Sequence, residues 1–274
     1  MVPVLYVVAT PIGNLEDISL RALRLLKQVK LIAAEDTRTT RQLLNFYDIK
    51  TPLTSYHEHN KQAKLDYLLD CLKQEDVALV SEAGMPGLSD PGYELIAAAI
   101  EHGIPVVPVP GASAVITAVV VSGLPANQFL YLGFLPRRQG VRRRLFKSVA
   151  DEPRTMVAFE APHRLVETLN DALVIFGDRR VAVCRELTKV YEEVFRGRLS
   201  QAIEHFTQPR GEFTLVIEGN ADQEPEISQQ IEGELRRLYR QGAGAKEAVA
   251  RLSESSGISK KKLYQAWLKA TKGD

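Results

Sequence analysis

Short apolar runs alternate with longer amphipathic stretches over residues 4–109. The apolar runs predict five strands, at residues 4–9, 31–34, near 52–56, 77–80 and 104–109. Apolar positions with a helical period predict helices between them, at residues 15–29, about 39–46, 61–74 and 93–102. Strands and helices that alternate in this way predict an α/β fold, with a mostly parallel sheet covered by helices on both faces.

The same alternation restarts after residues 122–128 and later gives way to helices alone. It predicts strands at 129–134, 155–159, 180–184 and 212–218, and helices at about 139–149, 165–176 and 200–206. The close spacing near the end of this half indicates a mixed sheet. Residues 220–228 are polar and acidic, as in a linker, and three short helices follow at about 229–241, 246–255 and 260–269, with Gly257 in the last turn.

These patterns predict three domains. An N-terminal α/β domain covers residues 1–123, a second α/β domain covers 124–221, and a small helix-turn-helix-like domain covers 228–274. The helix-turn-helix signal is weak, because many small helical bundles share the outline.

Composition narrows the class of protein. The chain has 274 residues, a net charge of +1 and 45% hydrophobic residues, which is ordinary for a globular protein with more than one core. Cys71 and Cys184 have no neighbours at metal-ligand spacing, so we expect no disulfide, no metal site and a cytoplasmic location. The N-terminus predicts a strand and no signal peptide, and the longest uninterrupted apolar piece, 112–122, is shorter than the roughly 20 residues of a membrane span. We therefore expect a soluble protein.

Four of the predicted strands end in loops rich in small and polar residues. Their sequences are TPIGN, AEDTR, SEAGMPGLSDPG and PGASA. The third loop, at residues 81–92, has three glycines and two prolines, which permit positive φ and stiffen the chain. Because ligands bind at the carboxyl edge of open parallel sheets, these loops are candidates for one binding site. The alternative for the third loop is a tight surface connection.

The sequence lacks the motifs of two common nucleotide-binding sites. The first loop lacks the G-x-G-x-x-G pattern and contains Pro11, which argues against an ordinary nicotinamide site. No G-x-x-x-x-G-K-[ST] pattern occurs, which argues against nucleotide hydrolysis.

Nine strings occur in order along residues 4–219 and resemble one family. They are VATPIGNLEDISLRAL, AAEDTRTTRQLL, SYHEHN, VSEAGMPGLSDPG, VPVPGASA, YLGFLPR, FEAPHR, CRELTK and GEFTLVIEG. The chain resembles the ribosomal RNA small-subunit methyltransferase I family, within the tetrapyrrole (corrin/porphyrin) methylase superfamily. Glu82 and Met85 depart from it, since the family more often has Asp and Thr there.

The resemblance implies two α/β domains with S-adenosylmethionine between them, in a homodimer. It implies 2′-O-methylation of a cytidine in the decoding region of the small-subunit (16S) ribosomal RNA. The cofactor-binding residues that it implies come from both domains and are Pro11, Gly13, Gly84, Met85, Pro86, Leu88, Gly111, Ala112, Ser113, Ala114, Leu132, Gly133 and Phe159.

A 2′-hydroxyl is a poor nucleophile until its proton is removed, so the reaction favours a nearby base. We favour Asp36 or Glu35 as this base. The ionisable residues of the same edge also include Lys189, Glu186, His57 and His59, and Arg38 and Arg164 are placed to grip phosphates. Glu35 and Asp36 could instead cap the next helix, Arg185 and Glu186 could pair with each other, and the two histidines could be plain loop residues.

Basic residues suggest where RNA would bind. Six lie between positions 137 and 147 without an acid, and two more candidates lie near the C-terminus. The predicted RNA-binding residues are Arg137, Arg138, Arg142, Arg143, Arg144, Arg164, Lys260 and Lys261. The alternatives are a solvated helix face for the arginines and, for Leu263, Tyr264, Trp267 and Leu268 beside the lysines, the core of a helical bundle. Two separate basic areas favour the assembled small ribosomal subunit over free RNA.

Two other functions fit the same fold. A small-molecule methyltransferase acting on a tetrapyrrole would need neither the basic helix nor the C-terminal domain. A metabolite-sensing regulator that binds nucleic acid would bind the cofactor without forming S-adenosylhomocysteine. The methyltransferase acting on ribosomal RNA is the leading hypothesis.

Overall fold

The computed structural model describes residues 2–220, 227–256 and 258–271. The chain forms two compact units, Met1–Lys147 with Thr155–Glu218, and Ser148–Arg154 with Gly219–Asp274. Most of the predicted linker at 220–228, and Gly257 in the predicted turn, lie outside the described residues. The three domains predicted from sequence stay a prediction, and both sheets described below lie in the first unit.

The first sheet has five parallel strands in the order β3-β2-β4-β1-β5. Residues of one strand point alternately to the two faces, and β4 shows the consequence. Its Ala78 and Val80 belong to one buried cluster, while Val77 and Leu79 belong to another. A sheet buried on both faces explains why these strands are continuous apolar runs. The strands are β1 Leu5–Val8, β2 Leu31–Ala34, β3 Leu53–Ser55, β4 Val77–Val80 and β5 Val106–Val109.

Helices cover both faces of this sheet, as predicted. The single helix predicted at 15–29 is wrong, because the chain forms a short 3-10 helix, Leu15–Asp17, and begins α1 only after Ser19. The Ser19 hydroxyl accepts a hydrogen bond from the Ala22 amide, so this residue is the N-cap and sets the break. The helices are α1 Leu20–Gln28, α2 Thr37–Phe46, α3 Lys61–Leu72 and α4 Tyr93–Glu101.

The second sheet is mixed, as predicted, with the order β6-β7-β10-β8-β9. β6 and β7 are parallel, and the other neighbours are antiparallel. β9 was not predicted. Among the described strands it is an edge strand that pairs only with β8, and its sequence EVFRGR has no apolar run because its side chains are not fully buried. The strands are β6 Phe129–Phe134, β7 Thr155–Glu160, β8 Arg180–Arg185, β9 Glu193–Arg198 and β10 Phe213–Ile217.

Helix α5, Ala114–Ser122, joins the two sheets. It follows the last strand of the first sheet, yet its Val115, Ala118 and Val119 share a buried cluster with Val157 and Val216 of the second sheet. This packing fixes the carboxyl edge of the first sheet against the second sheet. The other helices of this half are α6 Gln139–Ser148, α7 Leu165–Phe176 and α8 Leu199–His205.

In the part of the second unit that the structure describes, the helices α9 Gln229–Arg240, α10 Ala245–Ser256 and α11 Lys260–Thr271 lie close to the predicted bounds. Leu263 and Trp267 belong to the unit's buried cluster, as the bundle-core alternative expected. Tyr264 and Leu268 are 48% and 41% exposed, so that alternative is wrong for these two residues. Among the residues described, none of the helices is long and apolar enough to cross a membrane.

Candidate active site

A cavity of about 720 Å³ lies at the carboxyl edge of the first sheet. Its wall combines the loops that follow β1, β2, β4 and β5 with residues of β7, β8 and β10 in the second sheet. This volume lies within the range of small-molecule sites, roughly 300–1,000 Å³. Eight of the thirteen predicted cofactor residues line it, namely Pro11, Gly13, Gly84, Met85, Leu88, Ser113, Ala114 and Phe159.

The other five predicted cofactor residues are not among the described lining residues; they are Pro86, Gly111, Ala112, Leu132 and Gly133. Two of these five are glycines, and Gly111 is required by packing whereas Gly133 is required by its backbone conformation. A Cβ on Gly111 would lie 2.9 Å from the Ala9 Cβ, so a side chain there would force the loops after β1 and β5 apart. Gly133 has a φ of +67°, and a Cβ there would lie 3.6 Å from the Ser89 hydroxyl oxygen.

Backbone hydrogen bonds hold two of the cavity loops together. The amide of Thr10 donates to the Gly84 carbonyl at 2.9 Å, and the Gly84 amide donates back to the Thr10 carbonyl at 3.1 Å. Gly84 has a φ of +82°, which a residue with a side chain rarely adopts. The sequence signal of glycines in this loop therefore reflects a real conformational need.

The predicted base Asp36 does not line the cavity. Its carboxylate accepts hydrogen bonds from the amides of Arg38, at 2.7 Å, and Thr39, at 3.4 Å, so it caps α2. The Arg38 amide is the main reason that the pKa of Asp36 is lowered. These contacts support the capping alternative, and the role of Asp36 as base stays a prediction. Arg38 is also outside the lining, with 91% of its side chain exposed and 3.5 Å from Asp36.

Glu35 does line the cavity, and it is not a helix cap. Its carboxylate accepts a hydrogen bond from the Glu82 amide at 3.1 Å, which ties the ends of β2 and β4 together. His57 and His59 do not line the cavity; their rings lie 6.1 Å apart at the end of β3.

Lys189 lines the cavity from the loop after β8. Its ammonium lies 3.2 Å from the Glu186 carboxylate and 3.1 Å from the Glu212 carboxylate. Burial alone would lower the pKa of Lys189, but hydrogen bonds to Glu212 and Glu186 outweigh it and raise the pKa. Lys189 therefore remains a cation. Arg185 pairs with Glu193 at 3.3 Å, so the alternative pairing of Arg185 with Glu186 is wrong.

Sequence analysis missed an ionisable residue of the cavity, Asp90. Asp90 lies in the glycine-rich loop after β4 and lines the cavity. Burial, followed by the charge of Glu35, raises the pKa of Asp90 to about 7, although a hydrogen bond with Ser81 opposes the shift. The sequence signal was its position between Ser89 and Pro91 in the loop singled out for its glycines.

Phe134, which the sequence reasoning also left out, lines the cavity with 61% of its surface exposed. Its ring lies 5.1 Å from the Phe159 ring, and Tyr131 contacts Phe159 from another side at 5.6 Å. The second sheet thus contributes an aromatic wall to the cavity.

Two of the predicted RNA-binding arginines are structural. Arg142 has a fully buried side chain, which donates to Asp171 at 2.9 and 2.6 Å, so its assignment to a phosphate-binding surface is wrong. Arg164 is only 12% exposed and pairs with buried Glu160 at 2.5 Å, which also contradicts a role in phosphate binding. Arg143 contacts Asp171 at 2.7 Å with half of its side chain exposed. The exposed candidates without this contact to Asp171 are Arg137, Arg138, Arg144, Lys260 and Lys261.

Comparison with known proteins gives consistent matches. Residues 4–203 match the family described as Tetrapyrrole (Corrin/Porphyrin) Methylases. A protein of Halalkalibacterium halodurans named ribosomal RNA small subunit methyltransferase I is 47% identical over 272 residues, which cover 96% of this chain and 94% of that protein. The protein of the same name from Thermotoga maritima is 52% identical over 218 residues, covering 78% of this chain and 98% of its own.

Solved structures with low identity share the fold. Uroporphyrin-III-C-methyltransferase from Thermus thermophilus has a TM-score of 0.56 and 20% identity, covering 80% of this chain and 96% of that one. A diphthine synthase has a TM-score of 0.63 and 15% identity, covering 78% and 90%. At these identities the likeness concerns the arrangement of the two sheets and says nothing about substrate.

Proposed function

We propose that this chain, which belongs to the ribosomal RNA small subunit methyltransferase I family of the tetrapyrrole methylases, methylates a cytidine 2′-hydroxyl of small-subunit RNA. Family membership makes the chain a ribosomal RNA methyltransferase. The proposal adds S-adenosylmethionine as methyl donor, the ribose oxygen of a cytidine in the decoding region as acceptor, a homodimer, and a cytoplasmic location where ribosomal subunits are assembled.

The observation that carries the proposal is the fit of the cavity to S-adenosylmethionine. The cavity of about 720 Å³ has apolar walls at Met85, Leu88 and Phe159, next to the loop that the positive φ of Gly84 shapes. The hydroxyl of Thr40 lines it, is buried and has no hydrogen-bond partner within the described chain. Because a buried hydroxyl without a partner is costly, this group favours a polar ligand atom beside it. Such a mixed lining suits a ligand with apolar, amide and hydroxyl parts.

When bound, the cofactor supplies an electrophilic methyl group on a sulfonium sulfur. The loops after β1, β4 and β5 would hold it, with Gly84 and Ser113 contributing small residues and Phe159 an apolar wall. Positioning of the ribose oxygen in line with the methyl carbon supplies much of the rate in such a displacement. Lys189 forms ion pairs with Glu186 and Glu212 at the part of the cavity wall that the second sheet contributes. Because it is a protonated amine, it cannot act as a base.

An RNA acceptor is supported by the residues that follow Phe134. Arg137, Arg138 and Arg144 are exposed on the loop before α6 and on α6 itself, close in sequence to the exposed ring of Phe134 at the cavity. Exposed arginines beside an exposed aromatic ring suit a nucleic-acid strand, since phosphates pair with the cations and an unstacked base stacks on the ring. A small tetrapyrrole would not need these arginines.

In the second unit, Lys260 and Lys261 are exposed at the start of α11 and offer a further basic surface. The homodimer is supported by α5, whose Ile116 and Val120 are exposed apolar side chains on a helix otherwise packed against the second sheet.

Transfer of labelled methyl groups tests the proposal. The protein is incubated with labelled S-adenosylmethionine and one acceptor at a time: small ribosomal subunits from cells that lack the protein, deproteinised 16S RNA, or a porphyrinogen. Label on the subunits is the expected result. Label on the porphyrinogen alone would favour the small-molecule enzyme. Cofactor binding without any S-adenosylhomocysteine would favour the metabolite sensor.

A further inference from the structure

Asp90 occupies a part of the cavity wall whose backbone is constrained. Ser89, directly before it, has a φ of +70°, which is uncommon for a residue with a side chain, and Gly87 and Gly92 on either side have φ values of +82° and +148°. The hydroxyl of Ser89 lies 2.6 Å from the Tyr131 hydroxyl of β6. The second sheet therefore holds the backbone that presents Asp90 to the cavity.

Three carboxylates line this side of the cavity, namely Glu35, Glu82 and Asp90. They differ in their contacts. Glu35 accepts a hydrogen bond from the Glu82 amide, and Glu82 is exposed. The charged and titratable groups that act on Asp90 are Glu35 after β2, Glu82 after β4 and Tyr131 on β6, with the neutral Ser81 hydroxyl as its hydrogen-bond partner. Asp90 has no cationic neighbour among these groups.

This environment is the one that a general base needs. A carboxylate without a cationic partner, partly buried and beside other carboxylates, holds its proton more tightly than an exposed one. The pKa of Asp90, raised to about 7 by burial and the charge of Glu35, lies near physiological pH, where a base can both accept a proton and be regenerated. Asp36 has the opposite environment, because amide donors lower its pKa.

We propose that Asp90 is the general base for the methyl transfer, a role that rests on the proposed function. The 2′-oxygen forms a bond to the methyl carbon, the bond from that carbon to sulfur breaks with its electron pair left on sulfur, and the hydroxyl proton passes to a carboxylate oxygen of Asp90. The products are the 2′-O-methyl nucleotide, S-adenosylhomocysteine and a protonated Asp90, which then releases its proton to solvent.

The kinetic test is Asp90→Asn, which keeps the shape and removes the proton acceptor. We expect kcat to fall by roughly 10²–10⁴-fold, the usual contribution of a general base. The Kd for S-adenosylmethionine should stay within a few-fold of the wild-type value. In the wild type the single-turnover rate should rise with pH and level off near the pKa of about 7, and this rise should be absent in Asp90→Asn. Asp66→Asn, at an exposed position on α3 outside the cavity lining, is the matched control and should keep the wild-type rate.

A second readout needs neither cofactor nor RNA. The folded pKa of Asp90 is raised above its unfolded value, so the folded state binds more protons than the unfolded state between about pH 4 and pH 7. Ionised Asp90 therefore destabilises the fold as pH rises through that window. Asp90→Asn should melt at a higher temperature than the wild type at about pH 8.5, and this gain should shrink toward about pH 5. For Asp66→Asn, the difference in melting temperature from the wild type should not change with pH.

The outcomes separate three possibilities. Normal turnover by Asp90→Asn, or a loss of cofactor affinity as large as the loss in kcat, would overturn the role as base. If the stability gain of Asp90→Asn over the wild type did not depend on pH, the pKa of Asp90 would not be raised in the folded state, and the role as base would lose its support. A wild-type protein that methylates no RNA would overturn the proposed function and this role with it, and that result is visible in the wild type alone.

Discussion

The hydroxyl of Ser89 lies 2.6 Å from the hydroxyl of Tyr131, and this contact joins a loop of the first sheet to a strand of the second. Burial raises the pKa of Tyr131, so the phenol stays protonated and the hydrogen bond persists at physiological pH. Because Ser89 has a positive φ, its conformation depends on such a tie. The two sheets thus cooperate to form one wall of the cavity.

Tyr131→Phe removes this tie and little else. We expect a loss of about 0.5–1.5 kcal/mol in the free energy of unfolding, the usual net value of a hydrogen bond, and a lower kcat because Asp90 is less well held. Urea unfolding and single-turnover rates measure both. In a double-mutant cycle with Ser89→Ala, the second substitution should cost much less once the first is present. Fully additive losses would show that the two hydroxyls do not bond in solution.

Asp171→Ala should destabilise the fold by about 3–5 kcal/mol, because it removes the buried partner of the Arg142 guanidinium and leaves it only the half-exposed Glu167 carboxylate at 3.2 Å. Urea unfolding at neutral pH measures this, with Asp66→Asn as an exposed control that should stay within about 0.5 kcal/mol of the wild type. An Asp171→Ala protein as stable as that control would contradict the buried pair.

The pairing of Asp171 with Arg142 also makes the free energy of unfolding depend on pH. Burial would raise the pKa of Asp171, but hydrogen bonds from Arg143 and Arg142 outweigh burial and lower it. A carboxyl with a lowered folded pKa contributes stability that is complete above its unfolded pKa of about 3.9 and is lost as pH falls below that value. The wild type should therefore lose more stability than an Asp171→Asn variant on acidification below about pH 4. Equal losses would contradict this assignment.

Phe134 and Phe46 offer a matched pair of exposed rings. Their exposures are 61% and 63%, yet only Phe134 lines the cavity. If the target base stacks on Phe134, Phe134→Ala should weaken subunit binding by about 1–3 kcal/mol. Phe134→Trp keeps an aromatic ring and should bind subunits about as tightly as the wild type. Filter binding of small subunits at fixed salt measures this. The same loss in Phe46→Ala, or none in Phe134→Ala, would contradict stacking at the cavity.

Substitutions of the arginines of α6 should separate binding from folding. If Arg144 neutralises one RNA phosphate, Arg144→Ala should lower the slope of log affinity against log salt by about 0.7–0.9, with the fold intact. Arg142→Ala should instead destabilise the protein, since its buried guanidinium pairs with Asp171. Salt titrations of subunit binding, with circular dichroism as a check on folding, measure both. Equal effects of the two variants on the slope would contradict the separation.

Much of the fold followed from periodicity. The five strands of the first sheet are buried on both faces, so their apolar runs stand out, and the positive φ of Gly84 explains why the loop after β4 needs glycine. β9 was not predicted, because an edge strand with half-exposed side chains needs no apolar run. The break before α1 depends on one hydrogen bond to the Ser19 hydroxyl, which a pattern of apolar residues does not register.

The site was harder to predict, because residue type does not tell which contact a side chain makes. Asp36 follows a strand at the sheet edge where a base was expected. In the structure, however, its carboxylate accepts hydrogen bonds from two backbone amides. Arg142 lies four residues before buried Phe146, a helical spacing that places both on the core side of α6, and this could have marked it as buried. Asp90 became distinct only through burial and the nearby charge of Glu35, which depend on tertiary structure.

The most direct test of the central claim is nucleoside analysis of small-subunit RNA after reaction. Small subunits from cells lacking this protein are incubated with the wild type and labelled S-adenosylmethionine, the RNA is digested to nucleosides, and the labelled nucleoside is identified by mass spectrometry. We expect label in 2′-O-methylcytidine, near one label per subunit, from the decoding region. Label on a base carbon or nitrogen, on another nucleoside, or on protein would contradict it.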